Sequence, residues 1–190
     1  MKIDIDIYEA LSYMGIRGKD IPEDMLDLVK KAKAETEAII KPRFIYSKFY
    51  ISAENEKILL LGTDVSFKGL DIYNHLKNCY SCCLIAVTVG NDVDKHINRY
   101  MLKDKAFALA IDACSDDAVE QLCDYVEAQI KREYKNITYR YSPGYGDFDL
   151  SIQAKFLNLL NAQRRIGLSC TSTNILTPRK SVTAVIGIGE

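Results

Sequence analysis

One segment, Arg140-Tyr141-Ser142-Pro143-Gly144-Tyr145-Gly146-Asp147, gathers groups able to hold a small charged molecule. The Arg140 guanidinium and nearby backbone N–H groups suit an anion, and Tyr141 or Tyr145 offers a ring to something flat or cationic. Pro143 fixes its own φ and keeps Ser142 extended, while Gly144 and Gly146 permit positive φ or the close approach of a ligand. The same residue types also serve as an ordinary connection between a strand ending near Tyr141 and a helix starting near Asp149. A second cluster, Cys79-x-x-Cys82 with Cys83, has the spacing of a redox or metal half-site, and His75 lies four residues before Cys79. No second pair stands at ligand spacing, so these cysteines read as small buried hydrophobes and no metal is expected. Glu120, Asp124 and Glu127 fall on one helical face, where such a stripe ordinarily faces solvent. His96 precedes the core-facing Ile97 and reads as a surface or satisfied histidine. No G-x-S-x-G, H-E-x-x-H, P-loop or G-x-G-x-x-G pattern occurs, and no catalytic residue is assigned.

The elements that must position these groups belong to a chain of 190 residues, 48% apolar and 27% charged, as expected of one soluble globular domain spanning 1–190. No apolar run reaches the roughly 20 residues that span a bilayer. The opening Met1-Lys2-Ile3-Asp4-Ile5-Asp6 mixes acids into its apolar residues and does not read as a signal peptide. Six cysteines without a secretory signal suggest reduced thiols and a cytoplasmic location. A net charge of −1 gives no reason to expect nucleic acid or a membrane surface. Charge is nonetheless uneven: 104–133 holds eight acids against three bases, and 134–190 seven bases against three acids. Within the latter, Arg164, Arg165, Arg179 and Lys180 suggest a positive surface for an acidic or phosphate-bearing partner.

Periodicity supplies the rest. A short helix over Tyr8–Met14 ends at Gly15, and Pro22 suits the first position of a helix with Met25, Leu28, Val29, Ala32, Thr36 and Ile39 on its buried face. Pro42 ends it. Phe44–Ile51 and Lys57–Leu61 read as a hairpin around 52–56. A helix over Leu70–Leu76 precedes a buried strand at Leu84–Val89, and Val93, Ile97 and Tyr100 mark another helix. From Phe107 to Ile130 apolar residues recur at steps of three and four, which predicts one long central helix over Asp104–Tyr134. Ile137–Tyr141 is expected as a strand and Asp149 as the N-cap of a helix carrying Ile152, Phe156, Leu159, Leu160 and Ile166, stopped by Gly167. Thr171–Pro178 reads as irregular and Val182–Ile188 as a final strand. The expected fold is α+β, a mainly antiparallel sheet with several helices.

Beyond these derivations, Arg140-Tyr-Ser-Pro-Gly-Tyr-Gly-Asp, the helix through Gln153 and Phe156, Arg165-Ile-Gly-Leu and Pro178-x-Lys-Ser-Val-Thr-Ala-Val-Ile-Gly-Ile resemble the activation domain of cobalamin-dependent methionine synthase. More closely they resemble the free-standing activation subunits that some bacteria carry apart from the synthase. The likeness extends upstream through Leu84–Gly90, Pro42-Arg43 and Gly15-Ile-Arg-Gly. It implies an accessory subunit that binds S-adenosylmethionine and reactivates a synthase, or a related corrinoid protein, whose cobalamin has oxidised to cob(II). The electron would come from a flavodoxin-like or ferredoxin-like donor, the methyl group from adenosylmethionine, and the cobalamin would be carried by the partner. Such chemistry asks the subunit for orientation rather than a general base.

By the same resemblance, Arg140 matches the arginine that contacts the ligand, and Tyr141, Ser142, Pro143, Gly144 and Tyr145 match the loop lying against it. Glu120 matches a ligand-contacting glutamate on the equivalent helix. Two departures stand out. The longer domains also hold the ligand with an aspartate from an N-terminal arm, for which there is no match, and with a tyrosine whose position lies beyond Glu190. Gly146-Asp147 replaces a run of small residues and proline. An alternative expectation is a module that docks on a cobalamin protein without holding adenosylmethionine. A stand-alone methyltransferase or thiol redox protein is disfavoured by the missing glycine-rich loop and the lone C-x-x-C.

Overall fold

The structure, a computed structural model, describes residues 2–18 and 20–189. Its centre is β4 (Ser81–Thr88), all eight residues of which are buried. Alternate side chains enter two separate cores: Cys83, Ile85 and Val87 on one face, Cys82, Leu84 and Ala86 on the other. Covering both faces explains why this strand reads as a continuous apolar run although its neighbours are antiparallel. Those neighbours are β1 (Arg43–Glu54) and β7 (Ser181–Ile188), and with β2 (Lys57–Leu60) and β3 (Ser66–Lys68) they form a sheet of order β3-β2-β1-β4-β7. Every pairing is antiparallel.

One face is covered by α1 (Ile7–Tyr13), α2 (Glu23–Ile39), α4 (Asn91–Met101) and α5 (Lys105–Glu133). Asp6 caps α1 by accepting from the N–H groups of Tyr8 and Glu9, and Asp104 caps α5 by accepting from Phe107. Pro22 stands at the N-cap of α2, one residue before its expected place. The opposite face is covered by α3 (Leu70–Leu76), α6 (Gln153–Leu160) and α7 (Ala162–Ile166). The result is an α+β fold with one long helix, as the periodicity predicts.

Four expectations need correction. The β1–β2 hairpin runs through 52–54, because Asn55 and Glu56 both adopt positive φ and close a two-residue turn whose twist matches the strands. The segment 137–141 forms no regular strand and is bridged to β7 at Ile137–Ile188 and Tyr141–Val185. Between them the Thr138 hydroxyl takes the Gly187 N–H at 2.8 Å, so a side chain replaces a backbone rung. The helix after Asp149 is broken: Asp149 caps a single 3-10 turn over Leu150–Ile152, and left-handed Asn161 separates α6 from α7. Residues 171–178 are not wholly irregular, since β5 (Ser169–Cys170) and β6 (Leu176–Thr177) pair as a small hairpin. The three-residue β3 had no signal in the sequence.

Candidate functional site

Two walls meet beside the β7 edge. The first is the outer face of α5, whose inner face is fixed by Ala110, Ile111, Cys114, Ala118 and Leu122 in the core. This leaves Glu120, Asp124 and Glu127 outward, with side chains 46%, 71% and 32% exposed. The second wall is the segment from Arg140 to Asp147. It is tied to the sheet where Tyr141 and Val185 exchange N–H···O bonds of 2.9 and 2.8 Å. Below, Tyr141 stacks on buried Phe148, and Tyr139 meets His75 edge-on at 4.5 Å.

Asp147 secures the far end of this loop. Helix α3 begins at Gly69, which has no side chain to cap it, and the Asp147 carboxylate supplies the cap by accepting from the N–H groups of Leu70 and Asp71. Asp71 returns the bond by accepting from the Asp147 N–H at 3.3 Å. Gly69, with φ +129, must be glycine, since a Cβ would lie 2.5 Å from the Asp147 carboxylate. Gly146 is held as closely, for a Cβ there would strike Asp71 and the Tyr141 hydroxyl. The Gly146-Asp147 pair is therefore a lock between loop and helix.

Arg140 spans the two walls. Its side chain is 22% exposed; Nη2 lies 2.7 Å from Asp124 and 3.4 Å from Glu120, and Nε lies 3.0 Å from Glu127. The acidic stripe is thus a seat for this guanidinium rather than a purely solvated face. Between the walls lies a groove in two compartments. One, of 340 Å³, is lined by Glu120, Tyr139, Arg140, Tyr141, Ser142, Tyr145 and Val182. The other, of 350 Å³, shares Glu120, Ser142, Tyr145 and Val182 and adds Pro143, Gln153, Arg179 and Thr183 among others. Six of the seven residues singled out in the sequence line one or both. Gly144 lines neither and instead turns the loop, its N–H bonded to the Phe148 carbonyl at 2.8 Å. The lining residues that sequence reasoning missed are chiefly Gln153 and Thr183, while Arg179, read there as part of a positive surface, also lines the second compartment. Gln153 offered a signal, as a polar residue three positions before Phe156 and so on its buried face.

Other sequence candidates lie elsewhere. Cys82 and Cys83 face opposite cores and cannot converge; burial pushes both thiols up, Cys83 to about 12. The ring of His75 meets the Thr138 hydroxyl at 2.9 Å, and burial lowers its pKa. His96 meets Glu35 at 3.1 Å. Lys180 is no part of a positive surface. It is buried, bonded to Asp116 at 2.7 Å and Asp112 at 2.9 Å, and anchors the start of β7 to α5. Burial and then the charges of Glu120, Asp116, Asp117 and Glu9 raise the Tyr13 phenol. Among the described residues no helix is long and apolar enough to cross a membrane.

No family model matches the chain, and no curated protein matches it. Among solved structures its fold is similar to that of the MetH reactivation domain, crystallised with AdoHcy bound. The TM-score is 0.77 at 15% identity, over 97% of this chain and 74% of that one. The likeness is one of fold.

Proposed function

We propose that this protein is an accessory subunit that holds S-adenosylmethionine in the groove between α5 and the Arg140–Tyr145 loop and serves the reductive reactivation of a cobalamin methyltransferase. One observation carries the reading: Arg140, Glu120 and three tyrosines line one groove, with Asp124 and Glu127 behind the guanidinium. Three acids against one base make its charged end net negative, which suits a ligand bearing a sulfonium and an ammonium against one carboxylate. Arg140 would take the methionyl carboxylate, whose planar geometry its fork fits better than a lysine would. Glu120 would accept from the ammonium, and the rings of Tyr139, Tyr141 and Tyr145 would face the sulfonium. Bound there, adenosylmethionine would give its methyl group to the partner's cobalamin, once an electron from a flavodoxin-like or ferredoxin-like donor has reduced cob(II) to cob(I), and would leave as adenosylhomocysteine. The fold likeness supports the reading, and the free-standing form of the subunit belongs to the proposal.

The second reading, a module that docks on a cobalamin protein without holding adenosylmethionine, is favoured by the bonds Arg140 already makes to α5. Calorimetric titration with adenosylmethionine separates the two, run with wild type and Arg140→Ala. Wild-type binding that Arg140→Ala weakens ten- to a hundredfold supports the first. Absence of binding with or without the cobalamin partner, while the protein still associates with that partner, establishes the second. In the functional assay, cob(II)alamin on the partner should return to methylcobalamin faster when the protein is present with adenosylmethionine and a low-potential reductant.

A further inference from the structure

The second compartment of the groove has a wall unlike the first. Gln153 is 1% exposed; its Nε2 donates to the Thr183 hydroxyl at 2.7 Å, while its Oε1 is buried with no hydrogen-bond partner. Beside it the edge of β7 is open. Val185 spends its N–H and C=O on Tyr141, on the side away from β4, and residues two apart on a strand turn their peptide groups to the same edge. Thr183 therefore turns its own N–H and C=O outward, at 3% exposure, and no described residue bonds to either. Buried polar groups are ordinarily paired, so three unpaired ones on the wall of one cavity mark a place for something with matching neutral groups. Pro143, Leu150 and Ile175 add apolar surface to a lining that also holds Glu120 and Arg179 but not Arg140.

We propose that this compartment receives the heterocyclic base of the ligand and that Gln153, with the outward peptide of Thr183, determines which base is accepted. The inference rests on the adenosylmethionine reading. A zwitterionic methionyl end needs the ion-paired Arg140 of the first compartment; a neutral base needs the neutral donors and acceptors of Gln153 and Thr183 and the apolar surface beside them. Adenine presents an amino donor beside a ring acceptor, the complement of a strand edge that offers a carbonyl and an N–H.

The test compares ligands as well as variants. Adenosine, purine riboside (which lacks the amino group), S-methylmethionine (a sulfonium amino acid without the nucleoside) and adenosylmethionine are titrated into the full chain by calorimetry. The same set is titrated into Gln153→Met, which keeps the side-chain volume. Purine riboside should bind roughly tenfold or more weakly than adenosine, since a missing partner group leaves buried polar atoms unpaired. Gln153→Met should weaken adenosylmethionine by about tenfold and leave S-methylmethionine unchanged. Equal binding of adenosine and purine riboside overturns the proposal whether or not Gln153→Met folds. So does a folded Gln153→Met that binds adenosylmethionine as wild type does. If adenosylmethionine binding depends on Arg140 while the nucleosides are not told apart, the proposal falls and the ligand reading stands. If adenosine is preferred but adenosylmethionine does not bind, the reverse holds, and if neither adenosine nor adenosylmethionine binds, both fall.

Discussion

In the unliganded protein the guanidinium proposed to grip a carboxylate is already gripped by three, and removing one of them should improve ligand binding. Asp124 is the residue to change. It makes the shortest of the three contacts, 2.7 Å, yet it is the most exposed of the three acids and lines neither compartment. An ion pair as exposed as this is worth about 0.2–1 kcal/mol. Asp124→Asn relieves the incoming carboxylate of that competition and should tighten adenosylmethionine by roughly 1.5- to 5-fold. Losing one negative charge also weakens the pull on a cationic ligand. At physiological salt, charges beyond about 8 Å are largely screened, so this opposing effect is small. Glu120→Gln should act with the opposite sign, because Glu120 lines both compartments and would face the ammonium. Calorimetry on the two variants at one salt concentration reads the difference directly. Weaker binding in Asp124→Asn, with the fold intact, would refute the idea that Arg140 must be released to act.

Three further outcomes follow from the geometry. Asp147→Ala removes the cap of α3 and should cost about 1–2 kcal/mol, a fall in melting temperature of roughly 2–8 °C by calorimetry; an unchanged melting point would show that the lock carries no load. With all six thiols free, native protein should react with a thiol reagent only at Cys79 and Cys170, the two that are not buried; rapid labelling of Cys83 or Cys114, both pushed to about 12 by burial, would contradict the packing of the two cores. His75 carries a lowered pKa, so the unfolded chain takes up its proton first. Its contribution to stability is therefore present above about pH 6.5 and lost as pH falls from there through the folded-state value. His75→Gln should flatten the pH dependence of denaturant unfolding across that range.

What could be read from residues alone followed how local each signal was. The long helix was legible because its apolar steps continue over some seven turns and Asp104 caps it. The β4 run was legible because two cores demand unbroken apolarity. The broken helix after Asp149 was not, since Asn161 is unremarkable in sequence until it takes φ +51. Nor was the failure of 137–141 to become a strand, because it depends on one hydroxyl of Thr138 meeting Gly187 from a distant part of the chain. The site shows the same division. Arg140 and its loop declare themselves by composition. The carboxylates that seat Arg140 are spaced like any solvated stripe, and Lys180 looks like surface charge until β7 buries it against Asp112 and Asp116. The role of Asp147 is set by an uncapped glycine about eighty residues upstream, which no local pattern reveals.

The pairing of β4 with β7 also governs how the protein comes into being. Leu84 sits opposite Val185, about a hundred residues later, so the sheet closes only through a long loop, and such non-local closure folds slowly. As the chain is synthesised, β1 and β4 and the helices through α5 can assemble while the far edge of β4 waits unpaired. That edge belongs to an eight-residue segment, Ser81 to Thr88, without a single charge or proline, the kind most prone to pair with another copy. When β7 arrives it covers this edge and, in the same event, carries in the rung to Tyr141 and the Lys180 anchor that hold the groove together. Assembly of the groove and protection from aggregation are thus completed by one strand.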